Sequence, residues 1–126
     1  MSDQQPYRRE DLEKIFSACI AMSTLDGEIH LDEIKPVVSF IEGRWQSGYG
    51  DINKLSEEAN ESALEILKSH SLYKSLGGIA ESLSGSLDQG QKDAVLKLLS
   101  TVLHADGEGH EMEHGMYAIF VRKFES

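Results

Sequence analysis

A single cysteine, Cys19, among 126 residues excludes an intrachain disulfide framework and a multi-cysteine zinc site. It falls on an apolar helix face with Ile15, Phe16 and Met22, where a thiol serves as a small core group. Proline occurs only twice, and no apolar run approaches the roughly 18 residues of a membrane-spanning helix. The opening Met1–Arg9 is polar and lacks the apolar centre of a signal peptide. These absences set the expectation of a cytoplasmic protein with no direct membrane insertion, in which residues 1–8 form a flexible N-terminal segment. Positive charge is also scarce: 12 Lys and Arg stand against 22 Asp and Glu, for a net charge of −10. Scattered basic residues give no face that could displace counterions from a nucleic acid. The acidic excess instead suits cation binding, a basic protein partner or plain solubility. Catalytic signatures are missing as well. There is no glycine-rich phosphate loop between strand and helix, and Cys19 has no adjacent histidine, so an enzyme is not expected.

What the chain does have is helical periodicity. Apolar residues make up 40% of it, enough for one globular domain over residues 1–126. They recur at helical spacing in six stripes. Leu12, Ile15, Phe16, Cys19 and Met22 form the first, and Ile34, Val37, Val38, Ile41 and Trp45 the second. Ala59, Ala63, Ile66 and Leu67 form the third, and Leu72, Leu76, Ile79, Ala80, Leu83 and Leu87 the fourth. Val95, Leu98, Leu99, Val102 and Leu103 form the fifth, and Met112, Met116, Ile119, Phe120 and Phe124 the sixth. No stretch alternates as a strand would. The expected fold class is all-α, a single-domain bundle of about six helices whose short connections make neighbours antiparallel.

Local signals refine the boundaries. Ser56-Glu57-Glu58 reads as a helix start, and Asp88-Gln89-Gly90-Gln91 as a capping box in which Gln91 reaches back to the Asp88 amide. Pro36 leaves two possibilities: a helix beginning near Asp32, which tolerates an early proline, or a distorted first turn. Gly77-Gly78 suits close helix packing better than phosphate binding. Trp45 and Tyr49 suit a loop-covering role in the core better than a partner-binding edge.

The chain also repeats itself. Asp26-Gly27-Glu28-Ile29-His30-Leu31-Asp32-Glu33 recurs as Asp106-Gly107-Glu108-Gly109-His110-Glu111-Met112-Glu113, an offset of 80 from position 26 to position 106. Ile15 matches Val95, Cys19 matches Leu99, and Phe40 matches Phe120 at the same offset. Helix pairs one–two and five–six therefore read as copies of one unit. In each, glycine lets the chain reverse, and Asp, Glu and a later Glu can converge. Such a set of oxygen ligands suits Ca²⁺, Mg²⁺ or Mn²⁺ better than Zn²⁺. The competing reading is structural, since Asp-Gly is an ordinary turn pair and Glu33 and Glu113 stand where a capping box places its Glu.

Two familiar sites fail on these residues. An EF-hand register with Gly27 at loop position six and Glu33 at twelve puts Met22 and Thr24 at positions one and three. In the second copy those positions are Val102 and His104, so both leading carboxylates are missing. His110-Glu111-Met112-Glu113-His114 matches the H-E-x-x-H zinc pattern, yet only 12 residues follow it and its first-copy counterpart of His114 is Ile34. At most His104, Asp106, His110 and His114 would take up adventitious Zn²⁺ or Ni²⁺.

The doubled Asp-Gly-Glu-x-x-x-x-Glu turn in a six-helix chain resembles the TerB-like (tellurite-resistance) family, which includes the helical domain of DjlA-type co-chaperones. The resemblance runs from Leu12 to Phe124 and takes in Ile79-Ala80-Glu81-Ser82-Leu83, Leu87-Asp88 and Leu98 to Glu108. It implies an all-α bundle with acidic residues gathered on one face and a bound divalent cation. By position the ligands would be Asp26, Glu28 and Glu33 with Asp106, Glu108 and Glu113. It also implies a stress role with protein partners, some membrane-associated. His30 and His110 stand where the family often has a small polar residue, and Gly109 replaces the apolar residue seen at Ile29. The alternative function is a metal-independent acidic protein-interaction domain.

Overall fold

The computed structural model of the chain describes residues 7–23, 31–68, 72–103 and 111–125. They form α1 (Arg9–Ser23), α2 (Leu31–Arg44), a short 3₁₀ turn (Ser47–Tyr49), α3 (Ile52–Lys68), α4 (Leu72–Ser86), α5 (Gln89–Leu103) and α6 (Glu111–Glu125). Each apolar stripe lies on one helix, apart from Trp45 just past α2 and Leu87 just past α4, and no strand occurs among the described residues. The fold class is the all-α bundle that the periodicity predicts. Arg9 and Gln89 open α1 and α5, and Leu31 and Glu111 open α2 and α6, each pair separated by the same 80 positions.

Helix α1 is the centre of the bundle and touches α2, α3, α4 and α5. Leu12, Ile15, Phe16, Ala18, Cys19, Ile20 and Ala21 are all buried, together with Ser17, as expected of a helix enclosed by others. Ala18, Cys19 and Ala21 are small, which lets neighbours approach from several directions. Burial of Cys19 pushes its thiol up to about 12, because the thiolate would lose its water. The remaining core is filled from Val37 and Ile41 on α2, Leu55, Ala59 and Ala63 on α3, Leu76, Ala80 and Leu83 on α4, Val95, Leu99 and Val102 on α5, and Phe120 and Phe124 on α6.

Polar contacts fix the direction of each helix. The Tyr7 hydroxyl donates to the Gln91 carbonyl at 3.4 Å, so the starts of α1 and α5 lie together. The Ser86 hydroxyl donates to Asp11 Oδ2 at 2.8 Å, which brings the end of α4 to the same place. Arg44 at the end of α2 lies over the Tyr7 ring, and the Ser84 hydroxyl donates to the Lys123 carbonyl near the end of α6. One pole thus holds the starts of α1 and α5 and the ends of α2, α4 and α6. Consecutive helices alternate in direction, as short connections require.

Four details differ from, or sharpen, the sequence reading. Helix α3 begins at Ile52, not near Ser56, because Asp51 caps it: its Oδ1 accepts from the Asn53 amide at 2.9 Å. Gly50 just before it has φ +93°, a conformation that glycine adopts without strain. Helix α2 runs through Pro36, which removes the amide that would otherwise bond to the Asp32 carbonyl. Residues 1–8 are not all a loose tail, since Tyr7 is 5% exposed and accepts a hydrogen bond from the Tyr49 hydroxyl on its carbonyl. Close packing does not demand glycine at 77 or 78: a Cβ on Gly77 would meet Ile119 at an ordinary 3.9 Å, and one on Gly78 would meet nothing within 4 Å.

The capping box forms as its sequence predicts. Gln91 Oε1 accepts from the Asp88 amide at 2.9 Å, and Asp88 Oδ1 accepts from the Gln91 amide at 2.8 Å. Gln91 is 1% exposed, so water cannot replace either bond. Asp88→Ala and Gln91→Ala should each cost about 1–2 kcal/mol in urea unfolding. The double variant should lose less than the two single losses together, because losing either bond loosens the turn that holds the other. Strict additivity would mean that the two bonds act separately.

Candidate functional site

Of the six carboxylate positions, Asp26, Glu28, Asp106 and Glu108 lie outside the described residues. Glu33 and Glu113 each stand third from the start of their helix, on the first turns of α2 and α6, where the backbone alone is described. His104 and His110 are likewise outside the described residues, and His114 is described by its backbone within α6. Among the described residues, no three His, Cys, Asp or Glu side chains stand close enough together to hold a metal ion.

The helices bring these positions into relation. Helices α1 and α5 are in contact, start together and have 15 residues each, about 22 Å. Their last residues, Ser23 and Leu103, therefore point to the same pole of the bundle. Helix α2 packs on α1 and α5, α6 packs on α5, and both α2 and α6 end at the opposite pole. Their first residues, Leu31 and Glu111, accordingly open at the pole where α1 and α5 close. Four helix termini that flank the two acidic segments share one pole. The starts of α2 and α6 carry the positive ends of their dipoles, which favours carboxylates at Glu33 and Glu113.

The opposite pole carries the best-defined polar cluster. Asp11 is 2% exposed; its Oδ2 accepts from Ser86 and from the Arg8 amide, while its Oδ1 is buried with no hydrogen-bond partner. Burial raises the Tyr7 phenol above its ordinary value, and the hydrogen bond from Arg44 partly offsets this. The Arg44 guanidinium lies 3.7 Å from the centre of the Phe40 ring, and Tyr7 meets Phe40 edge-on at 5.7 Å. Arg9 joins α1 to Glu58 of α3 at 2.8 Å and to the Tyr49 carbonyl at 3.2 Å. Trp45 donates to the Gly50 carbonyl and meets Tyr49 edge-on, so both rings close the loop over the core. These contacts hold the pole together. They supply no nucleophile paired with a base.

Sequence reasoning missed one surface. A groove of about 510 Å³ runs between α1, α3 and α4, with Glu10, Glu13 and Lys14 on one wall and Ser62, Glu65 and Ile66 on another. The only signal for it in the sequence is weak: a small serine, Ser17, Ser62 or Ser75, lines it from each of the three helices.

Comparison with known proteins then bears on the whole chain. No curated protein and no solved structure matches it. A family model described as Tellurite resistance protein TerB matches residues 12–119, which runs from the first core leucine of α1 to Ile119 in α6. The match takes in both acidic segments and every helix that positions them, and the chain belongs to the TerB family.

Proposed function

We propose that this chain is a non-enzymatic divalent-cation-binding or scaffold module of a tellurite-resistance stress system. Asp26, Glu28 and Glu33 would act from one helix connection, and Asp106, Glu108 and Glu113 from the other. The observation that carries this reading is the shared pole: the helix ends flanking both acidic segments open together, so two ligand-poor turns can serve one site. Neither turn alone has the ligands of an EF-hand, whereas six carboxylates from two turns match the six to eight oxygens that Ca²⁺ takes. Mg²⁺ and Mn²⁺ are the other hard candidates. Bound there, an ion would tie α1–α2 to α5–α6. A protein partner, membrane-associated in such a system, would then meet a stiffened acidic pole.

Thermal unfolding of metal-stripped protein with Ca²⁺, Mg²⁺, Mn²⁺ or Zn²⁺ added tests this directly. An ion at 100 times its dissociation constant should stabilise the fold by roughly 2.7 kcal/mol. Asp26→Asn and Asp106→Asn should each abolish that gain, since one site uses both turns. If no ion raises the wild-type melting temperature while the Asn variants melt lower by themselves, the turns are structural. The acidic pole then serves a basic protein surface without metal, through binding that weakens with salt.

A further inference from the structure

The α1–α3–α4 groove includes none of the six proposed ion ligands. Glu10, Glu13, Lys14 and Ser17 line it from α1, Ser62, Glu65 and Ile66 from α3, and Ser75 and Ile79 from α4. Serine lines it from each of the three helices, and Ile66 and Ile79 add an apolar lining that belongs to or packs against the core. The Ser17 hydroxyl donates back to the Glu13 carbonyl at 2.8 Å, which leaves the apolar floor free of an unsatisfied donor there. Ile66 is 8% exposed and belongs to the core, so the floor is fixed by the fold.

Charge identifies the occupant. Three carboxylates rim the groove against one lysine. Glu10 and Glu65 have no ion-pair partner among the described residues, and Glu13 has only Arg9 at 4.0 Å. Length agrees. From Glu10 to Ser17 the wall of α1 covers two helical turns, about 10 Å. That is the span of apolar anchors at i, i+3 or i+4, and i+7 on a docked helix. From the groove's apolar floor, acidic rim and two-turn length, we infer that it receives a basic amphipathic helix of a partner protein. Leucine-type anchors would rest on Ile66 and Ile79, and lysine or arginine would face Glu10, Glu13 and Glu65.

The probe is a synthetic helical peptide with leucines at those anchor spacings and lysines elsewhere, titrated into isotope-labelled chain with EDTA and physiological salt. EDTA keeps the result separate from ion binding, so this inference and the cation reading can fail independently. Amide shifts should concentrate on the first half of α1 and on the groove faces of α3 and α4. Glu65→Lys should weaken the peptide about tenfold, whereas Glu42→Lys, an equal charge change at an exposed site on α2, should leave it near the wild-type value. Ser62→Trp, which fills the groove without altering charge, should also block binding. Glu65 is exposed, so Glu65→Lys should melt with the wild type and keeps the test open if Ser62→Trp does not fold. No binding, shifts spread over the whole acidic surface, or equal losses in Glu65→Lys and Glu42→Lys would overturn the proposal.

Discussion

Phe120→Ala is expected to destabilise the protein by roughly 3–5 kcal/mol, the usual cost of deleting a large buried ring. Phe120 is 0% exposed and heads the fully buried side chains by volume. Its ring meets Phe124 edge-on at 5.9 Å, on the helix that packs most extensively against α4. Removing it leaves a cavity that neighbouring helices cannot close without moving the backbone. Since domains of this size have about 5–15 kcal/mol in all, the variant should sit near the margin and melt on the order of 10–20 °C lower. A functional consequence follows, because α6 also carries Glu113. Any ion-dependent stabilisation should weaken in Phe120→Ala although all six carboxylates remain. A loss below about 1 kcal/mol in urea unfolding would mean that α6 is not docked through this ring.

Alkaline pH should expose the second large effect. Cys19 holds its proton up to about pH 12 in the folded chain, against an ordinary value of 9.0. Between those values the unfolded chain loses a proton that the folded chain keeps, so stability is complete below about pH 9 and falls as pH rises toward 12. Three pH units correspond to a decline on the order of 4 kcal/mol. Tyr7, also raised by burial, adds to the fall in the same direction at higher pH. Cys19→Ala should cost about 1 kcal/mol at neutral pH through lost packing, yet lose less between pH 9 and 11. The two stability curves should therefore cross. Parallel curves, or a steeper decline in the variant, would contradict the thiol's contribution.

The bundle was legible because its apolar residues keep helical spacing for whole helices. The Asp88–Gln91 box was legible because both partners lie within one turn. Asp51 is equally local, but Ser56-Glu57-Glu58 offers a rival start, even though the apolar Ile52 and Leu55 extend the α3 stripe toward Asp51. Tyr7 lay in a polar stretch, and its partners, Gln91 and Tyr49, are 84 and 42 positions away. Asp11 looks like an ordinary acid in a first helical turn. Its burial depends on Ser86, 75 positions on, which no local pattern announces. For the candidate site, sequence supplied the repeated acidic residues and the structure supplied the shared pole of the four helix termini that flank them. The groove was hidden for a simpler reason: a concavity arises from how three helices converge, and a serine in a stripe has no preferred meaning until its neighbours are known.

The polar pairs at the start of α1 have a further consequence for attachment. Tyr7 and the final turn of α6 emerge at one pole, and the four termini flanking the acidic segments at the other. A tether joined through either end of the described helices, whether a neighbouring domain or a solid support, would hold the molecule by its Tyr7–Asp11 side. The pole where α1 and α5 end and α2 and α6 begin would face outward, about one helix length from the point of attachment. Attachment there would leave the pole at the far ends of α1 and α5 uncovered.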